Sequence, residues 1–193
     1  FGGTEADELY GEAGDDKLYG GSGFDLLRGG ADDDQLYGEL QADNLYGDAG
    51  QDVLYGAQGA DRLFGGSGDD GLWGGVDNDA LFGGADNDTL RGEDGNDRLR
   101  GEAGDDTLIG GADADVFLFE DEFGADVITD FDVFDALEFI DLSAVSAIVN
   151  WADLVSNHLS DTGSDVLIDA GADNTITLVG VDLGDLGSDD FIF

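Results

Sequence analysis

Aspartate recurs every nine residues, at Asp7, Asp16, Asp25, Asp34, Asp43, Asp52, Asp61, Asp70, Asp79, Asp88, Asp97, Asp106 and Asp115, with no insertion or deletion. A catalytic carboxylate pair needs one fixed separation and gains nothing from such repetition. Carboxylates stacked along a repeating backbone form a ladder, and the ligand that suits a ladder is a hard cation in an all-oxygen shell. Ca2+ accepts many oxygen ligands in flexible geometry, whereas Mg2+ demands a small octahedron and gives up its water reluctantly. The spacing points to calcium.

Other chemistry finds little support. His158 is the single histidine and falls on a segment with helical spacing, where it reads as a packing or surface residue. One histidine cannot build a zinc protease site, and H-E-x-x-H is absent. No serine sits in a G-x-S-x-G elbow, and there is no cysteine for nucleophilic or disulfide chemistry. The chain is therefore expected to carry no active site of its own.

Charge narrows the partners. The 193 residues hold 47 acidic and 6 basic side chains, a net charge of −41. Nucleic acid and anionic membranes would be repelled, and no apolar run is long enough to span a bilayer, so membrane insertion is not expected. Such a charge usually marks a disordered chain, yet 41% of the residues are hydrophobic and the leucines recur in step with the aspartates. Something must neutralise the carboxylates before those leucines can be buried together.

The elements that position the aspartates follow from the repeat itself. Thirteen nonapeptides run from Gly2 to Leu118, among them GEAGDDKLY, GDAGQDVLY and GGSGDDGLW. Position 1 is always Gly, position 6 always Asp, and position 8 is Leu in twelve units and Phe117 in the last. Positions 1 to 6 hold Gly, Asp, Asn and small residues and read as a tight turn. Positions 7 to 9 read as a short strand whose middle residue points inward. Two units then make one coil of a solenoid, so that aspartates eighteen residues apart share one inter-loop space. Stacked pairs from Asp7 with Asp25 to Asp97 with Asp115 give eleven possible sites, which if filled by Ca2+ would bring the charge to −19.

The units resemble the RTX nonapeptide G-G-x-G-x-D-x-U-x. The resemblance implies an all-β, right-handed parallel β-roll (a β-solenoid) that is disordered without Ca2+ and folds with it. It also implies a protein secreted by a Gram-negative bacterium, whose type I secretion apparatus reads an uncleaved C-terminal signal. The position-6 aspartates would be ligands, joined by loop carbonyls such as those of Gly20, Gly23, Gly47, Gly50, Gly56, Gly59, Gly65 and Gly68. Position 4 departs from the pattern as Asp32, Asp77, Asp86 and Asp113, which tolerate a left-handed backbone, and as Glu5 and Gln41, which tolerate it less. The fifth unit, GELQADNLY, keeps only its first glycine, so sites involving Asp43 are expected to be the weakest.

After Leu118 the period is lost, which divides the chain into a roll over 1–118 and a capping and secretion-signal region over 119–193. This region is expected to be mainly β, with strand-like runs in Gly124 to Ser143, Val166 to Ile168 and Thr175 to Val179. Asn150 precedes Trp151, Leu154, Val155 and Leu159 and reads as the N-cap of one short helix. The strings D-x-I-x-D-F and I-D-L-S are similar to the C-terminal segments of RTX proteins. Phe1 fills the last place of a unit whose other eight residues are missing, so the chain reads as a C-terminal fragment with its activity upstream.

Aromatic residues gather at position 9, with Tyr19, Tyr37, Tyr55 and Trp73 on one face. That ladder reads first as cross-strand stacking. The other reading is an adhesive or carbohydrate-binding surface, or one for self-association. A further possibility is an accessory module serving a secreted protease, lipase or polysaccharide-modifying enzyme.

Overall fold

A strand that carries one inward leucine cannot bury it alone; it needs strands above and below it and a second sheet opposite. The nonapeptide supplies all of these. The computed structural model describes residues 1–135 and 137–193. One strand forms per unit, from Glu8–Ala13 through Lys17–Ser22 and onward to Val116–Glu120, and alternate strands go to opposite sheets. Neighbours within a sheet are parallel and eighteen residues apart, as Leu9 beside Leu27 and Leu18 beside Leu36. The result is the two-units-per-coil β-roll that the spacing predicts.

Leu27, Leu36 and every later position-8 residue to Phe117 are fully buried between the sheets. Burying each leucine is worth about 1.5–3 kcal/mol, so the array supplies a long, thin apolar core. Leu9 and Leu18, at the open end, are only partly covered.

The strands differ from expectation in length. Each array strand up to Thr107–Ala112 has six residues, covering positions 7 to 9 and then 1 to 3 of the next unit. Position 1 therefore lies inside a strand and not in the turn. Period-2 alternation turns positions 8 and 1 inward and position 9 outward, as the burial of Leu36 and Gly38 and the half-burial of Tyr37 show. The bends fall at positions 2 and 4, where the backbone is left-handed: Gly21 and Gly23 have φ of 106° and 138°. Asp32 (75°), Glu39 (79°) and Gln41 (70°) adopt the same region without being glycine. The fifth unit thus closes its loop like the others.

Position 9 forms stacked columns. Tyr19, Tyr37, Tyr55 and Trp73 follow one another with ring centroids 4.8, 5.0 and 4.9 Å apart. On the other sheet Tyr46, Phe64 and Phe82 do the same, and the Arg28 guanidinium lies 5.4 Å from the Tyr46 ring.

Both sheets continue beyond Leu118. Ala125–Ile128 adds to one sheet beside Thr107–Ala112, followed by Asn174–Val179. That strand turns back through Ala172 and Asp173, both with positive φ, into an antiparallel hairpin with Asp165–Gly171. Leu159–Asp161 closes that edge, and on the other sheet Phe139–Ala144 and the two-residue strand Phe191–Ile192 close theirs. An antiparallel hairpin and a very short edge strand both protect a parallel sheet from further pairing. Asn150 accepts a hydrogen bond from the Asp153 amide at 3.0 Å and caps a helical turn, Trp151–Asp153, that widens into a π-helical turn at Leu154–His158. Among the described residues no helix is long and apolar enough to cross a membrane.

Candidate metal centre

Position 6 precedes each strand, and the roll stacks its side chains in two columns, one along each edge. Within a column each aspartate amide from Asp7 to Asp97 donates to the Oδ1 of the aspartate eighteen residues later. The Asp25 amide reaches Asp43 at 2.7 Å, Asp61 reaches Asp79 at 2.7 Å, and Asp97 reaches Asp115 at 2.8 Å. Asp25 through Asp115 are at most 3% exposed, while Asp7 and Asp16, at the open end, are only half-buried.

The second carboxylate oxygen behaves differently. Oδ2 of Asp25, Asp34, Asp43, Asp52, Asp61, Asp70, Asp79, Asp88, Asp97 and Asp106 is buried with no hydrogen-bond partner. Burying a charge in this way is strongly unfavourable unless something pairs with it. Burial accordingly pushes the carboxyl pKa up, to about 6 at Asp43, about 7 at Asp61 and Asp70, and about 8 at Asp79 and Asp88. Neighbouring aspartates raise it further, and the amide hydrogen bonds oppose the rise only in part.

The position-1 glycines explain where these oxygens sit. A Cβ added to Gly20 would lie 2.5 Å from Asp25 Oδ2 and 2.9 Å from the carbonyl oxygen of Gly38. At Gly38 the same distances, to Asp43 Oδ2 and the Gly56 carbonyl, are 2.6 and 2.9 Å. Gly20, Gly38, Gly47, Gly56, Gly65, Gly74, Gly83 and Gly92 each leave a small space, lined by an unpartnered carboxylate oxygen and by a carbonyl from the next coil. Gly20, Gly56 and Gly65 present their carbonyls in this way. Gly47 provides the space beneath Gly65. Gly23, Gly50, Gly59 and Gly68 occupy position 4, where each approaches the backbone of the unit one coil earlier in a separate column. Among the described residues no three acidic or histidine side chains converge, so a cation in the ladder would need main-chain oxygens as well as carboxylates.

The model of the RTX calcium-binding nonapeptide repeat matches residues 1–27, 19–54, 46–81, 55–90 and 82–117. The chain belongs to the RTX calcium-binding nonapeptide repeat family. The chain is also similar in structure to the extracellular lipase LipA from Serratia marcescens, at 17% identity and a TM-score of 0.43. That likeness covers 83% of this chain and 40% of the lipase, so the chain spans well under half of that protein. The AlgE6R2 subunit of the Azotobacter vinelandii mannuronan C5-epimerase is similar at 29% identity and a TM-score of 0.47, over 65% of this chain and 88% of the subunit. The AlgE6R3 subunit is similar at 27% identity and a TM-score of 0.41, over 84% and 78%. No curated protein matches the chain in sequence.

RTX nonapeptide repeats bind Ca2+, and the residues present fit that ion. The fit rests on the column of unpartnered Oδ2 atoms and on the glycine spaces beside them, which offer a hard, anionic, all-oxygen surrounding. The position-6 aspartates and the position-1 carbonyls would hold the ion, and its charge would compensate the buried carboxylates. In this RTX roll Asp43 has the same burial and the same hydrogen bonds as its neighbours.

Two acidic residues extend this pattern beyond the array. Asp126 continues one column, accepting from the Asp106 amide at 2.9 Å, and Glu138 follows Asp115 in backbone register on the other edge, where its Oε1 accepts from the Asp132 amide at 3.0 Å. Burial raises each carboxyl to about 8. The nine-residue period hides them, because Asp126 follows Asp106 by 20 residues. A signal was nonetheless present: Gly124 to Thr129 reads G-A-D-V-I-T, the last six places of the G-x-D-x-U-x pattern.

Proposed function

We propose that this chain is a non-enzymatic module that folds on binding Ca2+ after type I secretion and then stabilises or presents a domain upstream of it. One observation carries the reading: ten successive position-6 carboxylates each bury an oxygen that the protein leaves unpartnered. The effective cost of burying an uncompensated ion is on the order of several kcal/mol. Without a cation such a ladder opposes its own fold. A cation that binds only the folded chain drives folding by mass action, so the free Ca2+ concentration sets the folded population. Where Ca2+ is scarce the chain stays extended, a form suited to passage through an exporter. Where Ca2+ is abundant it closes into a rigid roll.

The aromatic columns support a structural role over a carbohydrate-binding one. Sugar rings stack on exposed aromatic faces. Here Tyr19, Tyr37, Tyr55 and Trp73 lie within 22° of parallel to their neighbours, so each ring covers the face of the next.

Circular dichroism against Ca2+ concentration, with Mg2+ as the control, tests the proposal. A rise in β-structure with Ca2+ and not with Mg2+ is expected. A chain already β-rich in excess chelator and unchanged by Ca2+ would overturn it.

A further inference from the structure

We infer that the cation ladder does not end with the nonapeptides and that Asp126, with Asp106, forms a further Ca2+ site in the segment after the array. The inference rests on the reading of the array as a Ca2+ ladder and extends it to residues outside the 1–117 matched by the family.

The hydrogen bonding and backbone register at Asp126 repeat those of an array rung; Phe119 stands at its own position 1, so the glycine space between the two coils is that of Gly101 beside Asp106 Oδ2. Its Oδ1 accepts from the Asp106 amide at 2.9 Å, where array rungs have 2.6 to 2.8 Å. Its Oδ2 is buried with no partner, as is that of Asp106, and the residue is 1% exposed. The backbone is in register as well, with Thr107 beside Val127 and Leu108 beside Ile128. Gly124 takes the left-handed place of position 4 with φ of 85°, and the Ala125 amide donates to Asp105 at 3.0 Å. The position-5 amides of Asn87 and Asp105 are held in the same way one coil earlier in each case.

The two-residue insertion is absorbed upstream of this loop. Phe119 takes the place after Leu118 that a position-1 glycine holds in the array, and it is buried against Phe123 with ring centroids 5.1 Å apart. The extra length passes through an exposed turn at Asp121 and Glu122 between these two buried rings, and the chain re-enters register by Gly124. On the next coil the column ends, because Ile176 stands beside Asp126. A carboxylate sealed beneath an apolar residue, with one oxygen unpaired, is a place for a cation and not for solvent.

The test is the anomalous difference map of full-length protein crystals grown with Ca2+. Peaks along the array and a further peak beside Asp126 Oδ2 are expected. Peaks along the array with none at Asp126 overturn this inference and leave the proposed function standing; no peaks anywhere overturn both. Native mass spectrometry of Asp126→Asn is the second measurement, since asparagine keeps the Oδ1 acceptor and removes the anionic oxygen. The expected result is one ion fewer than wild type. A folded variant that retains the full count overturns the inference.

Discussion

The Asp79 amide donates to Asp97 Oδ1 at 2.7 Å, while Asp97 Oδ2 is buried without a partner. Each aspartate thus holds the rung before it through one oxygen and offers the other to a cation. Metal sites and backbone register are therefore coupled. An ion that fixes one carboxylate also fixes the amide of the aspartate one coil earlier, which readies the adjoining site. Cooperative filling follows. Asp79→Asn keeps a hydrogen-bond acceptor and removes the charge shared by two sites. Titration followed by circular dichroism should show a shallower Ca2+ response and a higher midpoint than wild type, and an unchanged curve would contradict the coupling.

Protons compete for the same oxygens. The folded-state pKa values of Asp52, Asp61 and Asp79 are raised to about 6, 7 and 8, above the roughly 3.9 of an unfolded aspartate. A raised carboxyl favours the folded state when protonated. The stability it contributes is fully present below about pH 4 and is lost as the pH climbs through 6 to 8. In excess chelator, acidification from pH 8 to 4 should therefore increase β-structure. With Ca2+ present, the half-saturating concentration should rise as the pH falls from 8 to 6. Greater metal-free order at high pH than at low pH would reverse the sign and refute the account.

Position-1 glycines should be sensitive for a reason unrelated to turns. Gly20→Ala places a methyl 2.5 Å from Asp25 Oδ2, in the space a cation would use. Gly14, at position 4, has φ of 99° and nothing within 4 Å of an added Cβ. Gly14→Ala should cost about 1 kcal/mol of backbone strain and keep every ion. Gly20→Ala should lose bound Ca2+, measured by equilibrium dialysis. Equal ion counts in the two variants would show that the glycine space plays no part.

The columns of Asp and Leu were legible because each is a local demand repeated in phase. Whether Gly20 lies in a turn or in a strand was not, because the answer depends on backbone pairing with the coils above and below, where Gly21 sits beside Glu39 and the Gly3 amide donates to the Gly20 carbonyl. Asp126 and Glu138 were hidden for another reason. Inserted residues in an exposed turn between the buried Phe119 and Phe123 break the period, while the sheets carry on. The helix start was readable from Asn150, a local cap. Its widening into a π-helical turn follows from tertiary surroundings, where Leu154 is buried and His158 Nδ1 meets the Asp169 carbonyl oxygen at 2.5 Å.

The aromatic columns should matter to stability alone. Stacked aromatic pairs contribute about 0.5–1.5 kcal/mol each beyond their burial. Tyr37→Ala with Trp73→Ala removes the Tyr19–Tyr37, Tyr37–Tyr55 and Tyr55–Trp73 contacts, and should lower the thermal midpoint of the Ca2+-loaded protein. Glycan-array binding that disappears in the double variant would instead favour a carbohydrate-binding face.

The cap should be most vulnerable at Asp130. Its two carboxylate oxygens accept from the amides of Gly110 and Gly111 at 3.0 and 2.9 Å. Those amides begin the final nonapeptide, and the short strand Ala125–Ile128 ends before it could supply acceptors of its own. Asp130 thus substitutes for a further coil. Asp130→Ala leaves two donors without their partner, at about 1–3 kcal/mol for each one that stays dry. Fraying should begin at that edge, so hydrogen exchange at Gly110 and Gly111 should speed up in Ca2+-loaded protein while exchange at mid-array amides such as Asp61 is unchanged. Uniform acceleration along the whole array would mean that the roll opens as one unit and that Asp130 has no local capping role.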